Sequence, residues 1–272
     1  MTAVFGIDPA WTESEPSGLT LVAREDRAWV CKALAPSYQS FLAQGPVDWN
    51  AKSVPGSVPD IAALLNKCAD LHGGCAPAVV AIDMPVATVA ISSRRNADNA
   101  LSANFGSVGC GTHSPNAQRP GPLGSAMTAA FANHGFRVAT SKTPVGEEGR
   151  LVEVYPHPAL LALLGCTYRV PYKVSKSGKY WPGTSVAHRA AKLLEVFDAI
   201  LTGLRRNIAD IPMRLPLASE VPSLAGLKRY EDAIDALVCA WCGIMYLEGK
   251  AIPYGDDTAA IWVPTQAGMV SA

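Results

Sequence analysis

Five acidic side chains stand where apolar segments should carry them into or beside a core. Asp8 ends the run Val4-Phe5-Gly6-Ile7, and Asp83 ends the apolar stretch Ala78 to Ile82. Glu153 lies inside Leu-Val-Glu-Val-Tyr, and Asp232 and Asp235 share one face of a helix that is apolar nearly all round. A buried carboxylate must be protonated, paired or bound to a cation. Clustered carboxylates with no nearby histidine suit hard ions such as Mg²⁺ or Mn²⁺. Two such ions about 4 Å apart activate a water and stabilise the leaving oxygen of a phosphodiester. Each acid alone also has a plainer explanation. An Asp before Pro caps a turn, Glu153 can pair with Arg150 or Lys173, and Asp232 suits a helix N-terminus. It is the combination that points to chemistry: Asp8, Asp83, Glu153 and Asp235 as catalytic residues, and Asp8, Asp83, Asp232 and Asp235 as metal ligands.

Basic residues are the second candidate group. The segment Tyr168 to Trp181 reads YRVPYKVSKSGKYW, with Arg169, Lys173, Lys176 and Lys179 among four aromatic rings and no acid. Such a strip can hold phosphates while rings stack on bases; a solvated basic loop has the same composition. Lys173 is its strongest candidate for substrate binding. Arg94 and Arg95 follow the Asp83 strand and precede Asp98, so they can clamp a phosphate with Asp98 orienting one of them, or form a surface i,i+3 pair. His113 and Arg119 sit in a glycine-rich loop and read first as solvent-facing. Cys239-Ala-Trp-Cys242 has redox spacing, but it lies mid-helix with no second pair and reads as packing. No dinucleotide fingerprint, nucleophile elbow or phosphate-binding P-loop is present.

The elements that must position these residues follow from periodicity. Val4 to Ile7 is a strand, and Leu19 to Ala23 with Trp29 to Leu34 form a hairpin around Arg24-Glu25-Asp26-Arg27. Ile61, Leu64, Leu65, Cys68 and Leu71 recur at helical spacing, and Gly73-Gly74 stops that helix. Ala78 to Ile82 and Leu151 to Tyr155 are strands, with a possible strand at Phe136 to Ala139 and a short helix after Pro158. From Ile91 to Gly124 the pattern fails, and glycines and prolines make an irregular stretch fit for a binding loop. Ser125 to Asn133, the stripe from Val186 to Leu204, and Tyr230 to Leu247 are helices; Ala259 to Val263 closes the sheet as a late edge strand. The sum is one α/β domain over 1–272, a mixed sheet flanked by helices with a loop-rich insertion at about 86–148.

Composition narrows the class. The chain has 272 residues, 23 basic and 23 acidic, and a formal net charge of 0, which argues against holding nucleic acid by bulk charge. Seven cysteines, an odd number with no secretory signal before them, fit a reducing cytoplasm rather than a disulfide framework. The longest apolar stretch, Ala236 to Leu247, has 12 residues, short of the roughly 20 that span a bilayer, so no membrane association is expected.

Phe5-Gly6-Ile7-Asp8, Ala81-Ile82-Asp83-Met84-Pro85, Arg94-Arg95-Asn96-Ala97-Asp98, Glu153-Val154-Tyr155-Pro156 and Asp232-Ala233-Ile234-Asp235-Ala236 occur in that order. Together with Gly255-Asp256 and Ile261-Trp262-Val263-Pro264, this set resembles the family catalogued as domain of unknown function 429, described as predicted nucleases with an RNase H-like fold. The resemblance covers nearly the whole chain. It implies an RNase H-like core and a nuclease using Mg²⁺ or Mn²⁺ on nucleic acid. The chain is also similar to the Holliday-junction resolvase branch of that fold, whose acids fall on Asp8, Asp83, Asp232 and Asp235. That branch carries Glu where Asp83 stands. Two other functions compete: an ATP-dependent phosphotransferase or ATPase of the actin and sugar-kinase type, and a non-catalytic nucleic-acid-binding protein. The first normally has a glycine-containing phosphate loop after its Gly-Ile-Asp, which Pro9-Ala10-Trp11-Thr12 lacks.

Overall fold

A computed structural model describes residues 2–265 apart from 13, 44, 50 and 52. Its strands are β1 (Ala3–Asp8), β2 (Gly18–Glu25), β3 (Ala28–Ala35), β4 (Val79–Ile82), β5 (Arg137–Val138), β6 (Arg150–Glu153), β7 (Ile208–Ala209), β8 (Ala251–Gly255) and β9 (Ala260–Pro264). The helices are α1 (Tyr38–Leu42), α2 (Ile61–Leu71), α3 (Asn96–Phe105), α4 (Pro122–Asn133), α5 (Pro156–Leu164), α6 (Ser177–Tyr180), α7 (Val186–Arg205) and α8 (Lys228–Leu247). The strands form one mixed sheet in the order β7-β3-β2-β1-β4-β6-β9-β8, with β5 beside β6. β2 runs antiparallel to both β1 and β3, while β1, β4 and β6 are parallel.

Strand alternation sorts the core into two layers. Val4, Val79, Ala81, Val152 and Val154 face the layer that holds α5, α7 and α8. Phe5, Ile7, Val80, Ile82 and Leu151 face α1, α2 and α4. Helix α8 crosses β1, β2 and β4 at close range because glycine lines the contact. A β-carbon at Gly6 would collide with the Ala236 carbonyl and stand 2.9 Å from Ala240 Cβ, and one at Gly18 would collide with the Asp232 carbonyl.

Two expected elements differ. The stretch from Ile91 to Gly124, expected to be irregular, contains α3, whose first turn is closed by Asp98 Oδ2 accepting from the Arg95 backbone N–H at 2.9 Å. Only Ala97, Asp98 and Leu101 of α3 are buried, too thin a stripe to show as periodicity. The strand near Ala259 to Val263 is present as β9, but β8 pairs outside it and takes the edge. All seven cysteines are unpaired, and burial pushes the Cys239 and Cys242 thiols well up, as packing residues. Among the described residues no helix is long and apolar enough to cross a membrane.

Candidate active site

Asp8 and Asp83 emerge side by side. β1 and β4 are paired parallel through Ile7 and Ile82, and the Asp83 N–H donates to the Ile7 carbonyl at 3.0 Å. Adjacent strands lie about 4.8 Å apart. Asp8 continues the alternation of Val4 and Gly6, and Asp83 that of Val79 and Ala81, so both point toward α8. There the first turns of α8 bring Glu231, Asp232 and Asp235, each almost fully buried.

Two lysines face these five carboxylates. Lys173 Nζ lies 2.5 Å from Asp235 Oδ2 and 3.6 Å from Glu231 Oε1. Lys228 Nζ lies 3.0 Å from Glu231 Oε1 and pairs closely with Asp232 Oδ1. The Tyr172 hydroxyl donates to Asp235 Oδ1 at 2.7 Å, and the Val174 N–H donates to Glu231 Oε2 at 2.5 Å. Burial alone would lower the Lys173 pKa, but Asp235, Tyr172, Glu231 and Asp8 raise it well above its ordinary value.

Two positive charges do not neutralise five acids. Burial first, then Asp235, holds Asp8 well above the usual carboxylate range. Burial pushes Asp83 up to about 7, with Asp235 and Glu153 adding to it and Lys173 opposing. Burial likewise takes Asp232 to about 7 against the pull of Lys228. Among the described residues neither Asp8 nor Asp83 has a hydrogen-bond or ion-pair partner for its carboxylate.

Asp8, Asp83, Glu231 and Asp232 line a cleft of about 440 Å³. The same lining holds His113, Arg119, Arg169, Lys173, Lys176 and Lys228, with Lys173 and Lys228 set directly against the acids. His113 and Arg119 are exposed, as their loop position suggested, and also line the cleft.

The other expected site residues lie elsewhere. Glu153 pairs in register with Ile82, not with Asp83, so alternation turns it to the opposite face of the sheet. There it receives a guanidinium fork from Arg95, both contacts 2.6 Å, and the Val86 N–H at 2.9 Å. Arg95 also bonds Asp98 and the Val86 carbonyl. Burial by itself would lower the Arg95 pKa, but Glu153 and Asp98 raise it, and the side chain is only 8% exposed. Glu153 and Arg95 therefore satisfy one another and neither lines the cleft. Arg94 is spent on Asn99, Ser102, Ser114 and the Asp98 and Thr112 carbonyls, tying the 112–114 loop to α3. Of the three basic residues expected to hold substrate, Lys173 alone faces the cleft.

Asp235 joins the cluster but commits one oxygen to Tyr172 and the other to Lys173. No three His, Cys, Asp or Glu side chains among the described residues converge as a metal cage, and within the expected four-carboxylate set Asp235 and Asp232 are paired with Lys173 and Lys228. The donors that remain are the partnerless carboxylates of Asp8 and Asp83. That set suits Mg²⁺ or Mn²⁺ held by one or two carboxylates, with water and substrate phosphate filling the other positions. Glu231 and His157 were not singled out by sequence, and Tyr172 was read only as a ring of the basic strip, not as a partner of Asp235. Glu231 carried a signal, being an acid at the start of a helix otherwise apolar; His157, between two prolines, carried none.

Neither the curated proteins nor the solved structures contain a match to this chain. A family model does match, over residues 6–259, and on that extent the chain belongs to the family described as Protein of unknown function (DUF429).

Proposed function

We propose that this protein is a divalent-metal-dependent phosphodiester hydrolase, a nuclease built on an RNase H-like sheet. The strand order β3-β2-β1-β4-β6, with β2 alone reversed, supports that fold. The observation that carries the activity is the pair Asp8 and Asp83: two partnerless carboxylates on adjacent strand ends, in a cleft that basic side chains also line. A bound Mg²⁺ or Mn²⁺ would supply water activation and polarise the phosphoryl group.

The chain's own residues do the rest. Asp8 and Asp83 hold the ion from the strand ends. Lys173 and Lys228 keep Asp235, Glu231 and Asp232 from repelling the substrate outright, and present ammonium groups to the cleft. Arg119 offers a planar fork that matches phosphate oxygens, and Arg169, whose Nη atoms are held by the Gly109 carbonyl and His157, adds positive charge. No side chain is required as a covalent nucleophile. The seven unpaired cysteines support a reducing compartment such as the cytoplasm.

The test is cleavage of single-stranded, duplex and branched DNA and RNA with Mg²⁺ or Mn²⁺, beside Asp8→Asn. Cleavage abolished by chelator and by Asp8→Asn is expected. ATP turnover without cleavage of any nucleic acid would move the site to phosphotransfer.

A further inference from the structure

A second cavity, of about 600 Å³, adjoins the cleft: Arg169 and Lys176 line both. Its remaining wall includes Tyr168, Lys179, Tyr180 and Trp181. Carboxylates line the cleft; this groove has none in its lining and carries three basic residues.

Trp181 packs against the core, but one ring of the groove is left open. Tyr168 is 64% exposed, a large ring left in water. Gly109, at φ 82°, supports it from below; a β-carbon there would stand 3.1 Å from the Tyr168 ring and from Arg169 Cβ. Tyr180 and Trp181 meet edge to face at 5.7 Å. A flat ring exposed beside cations is what an unpaired base stacks on.

Polar atoms at the junction lack partners. Arg169 Nε, Tyr180 Oη and His157 Nδ1 are buried with no hydrogen bond among the described residues. Arg169 Nη2 lies 2.6 Å from His157 Nε2. A guanidinium only donates, so Nε2 accepts and the proton of the neutral ring sits on Nδ1. His157 is 3% exposed and lines the cleft. The junction thus holds two N–H donors and a hydroxyl, all without acceptors, beside Arg169 and Lys176. An anion drawn to Arg169 and Lys176 would bring acceptors to this junction.

We propose that this groove seats one nucleotide of a single-stranded nucleic acid next to the bond that is cut. Its phosphate lies at the His157, Arg169 and Lys176 junction and its base on Tyr168. A base inside a duplex is already stacked and cannot reach the ring, so the groove selects unpaired strands. This assignment deepens the hydrolase reading and rests on it for the identity of the reacting bond.

The experiment separates the two. Equilibrium binding of fluorescein-labelled oligo-dT of about ten nucleotides, and of a blunt duplex of equal length, is measured by anisotropy in EDTA, where no metal-dependent cleavage can occur. The single strand is expected to bind tighter than the duplex, and Tyr168→Ala, at an exposed position, to weaken it about tenfold. Lys179→Gln is expected to weaken it less and to reduce its salt dependence. Equal affinity for the duplex, or oligo-dT binding unchanged in Tyr168→Ala, overturns the groove. Tyr168-sensitive binding with no cleavage in Mg²⁺ or Mn²⁺ keeps the groove and removes the hydrolase. Cleavage with KM unchanged in Tyr168→Ala keeps the hydrolase and removes the groove.

Discussion

The Lys173 ammonium, 2.5 Å from a fully buried Asp235 oxygen, is the charge that makes the acidic cluster tolerable. It also lies 3.6 Å from Glu231 and reduces the penalty on Asp8 and Asp83. Lys173 is itself about a fifth exposed, so it serves both the core and the cleft.

Removing that charge strands several acids at once. Lys173→Met is expected to cost about 3–5 kcal/mol, the usual effect of breaking a buried pair from one side. Adding Asp235→Asn to it is expected to restore part of the loss, since an amide needs no counter-charge. Denaturant titration of the two single variants and the double variant measures this. Strict additivity would show that the pair is not coupled.

Asp83→Asn has the opposite sign in the metal-free protein. A carboxyl pushed from about 3.9 to about 7 binds protons more readily folded than unfolded. The stability it contributes is present at low pH and is lost as pH rises through about 7. In chelator at pH 8, Asp83→Asn is therefore expected to melt several degrees above the parent, with the advantage gone near pH 4. Melting curves across that pH range decide it. A variant less stable than the parent at pH 8 would contradict the assigned burden.

Metal should offset part of that advantage. Mg²⁺ or Mn²⁺ at about 100 times its dissociation constant stabilises a binding protein by about 2.7 kcal/mol. The parent should gain that increment, and Asp8→Asn and Asp83→Asn should gain little of it. Titrating the metal during thermal unfolding of all three reads the ligands without any substrate. Equal gains in all three would place the ion elsewhere.

Glu153→Gln is expected to behave as a fold variant. It removes one arm of the Arg95 fork and leaves a guanidinium only 8% exposed with Asp98 as its remaining carboxylate. A loss of about 3–5 kcal/mol in stability is expected, with metal affinity unchanged. Calorimetric metal titration of the folded variant checks this; a tenfold weaker affinity would put Glu153 back in the centre.

The contrast between Asp83 and Glu153 shows what the sequence could and could not reveal. Both acids follow apolar strand residues, and both strands were readable from composition. Which face each acid takes depends on registering Ile82 against Glu153, and a shift of one residue reverses it. Register belongs to the assembled sheet, so a linear reading groups the two together. Asp232 and Asp235 were more legible because helical spacing fixes their shared face locally. Arg95 was misplaced for a related reason: its partner lies 58 residues away, across the sheet from the cleft. The basic strip was legible as chemistry, but its division between the cleft and the adjoining groove required the fold of residues 165–181.

Gly6 and Gly18 give the layer spacing a further meaning. They let α8 settle onto β1 and β2 until backbone nearly meets backbone, which is why the helix carboxylates act on Asp8 and Asp83 at all. Helix height above the sheet is therefore a dial on ion affinity. Gly6→Ala would lift the helix and dilute the negative potential at the strand ends without altering a single ligand. Cation preference in this chain can drift through substitutions that no inspection of the acids would flag.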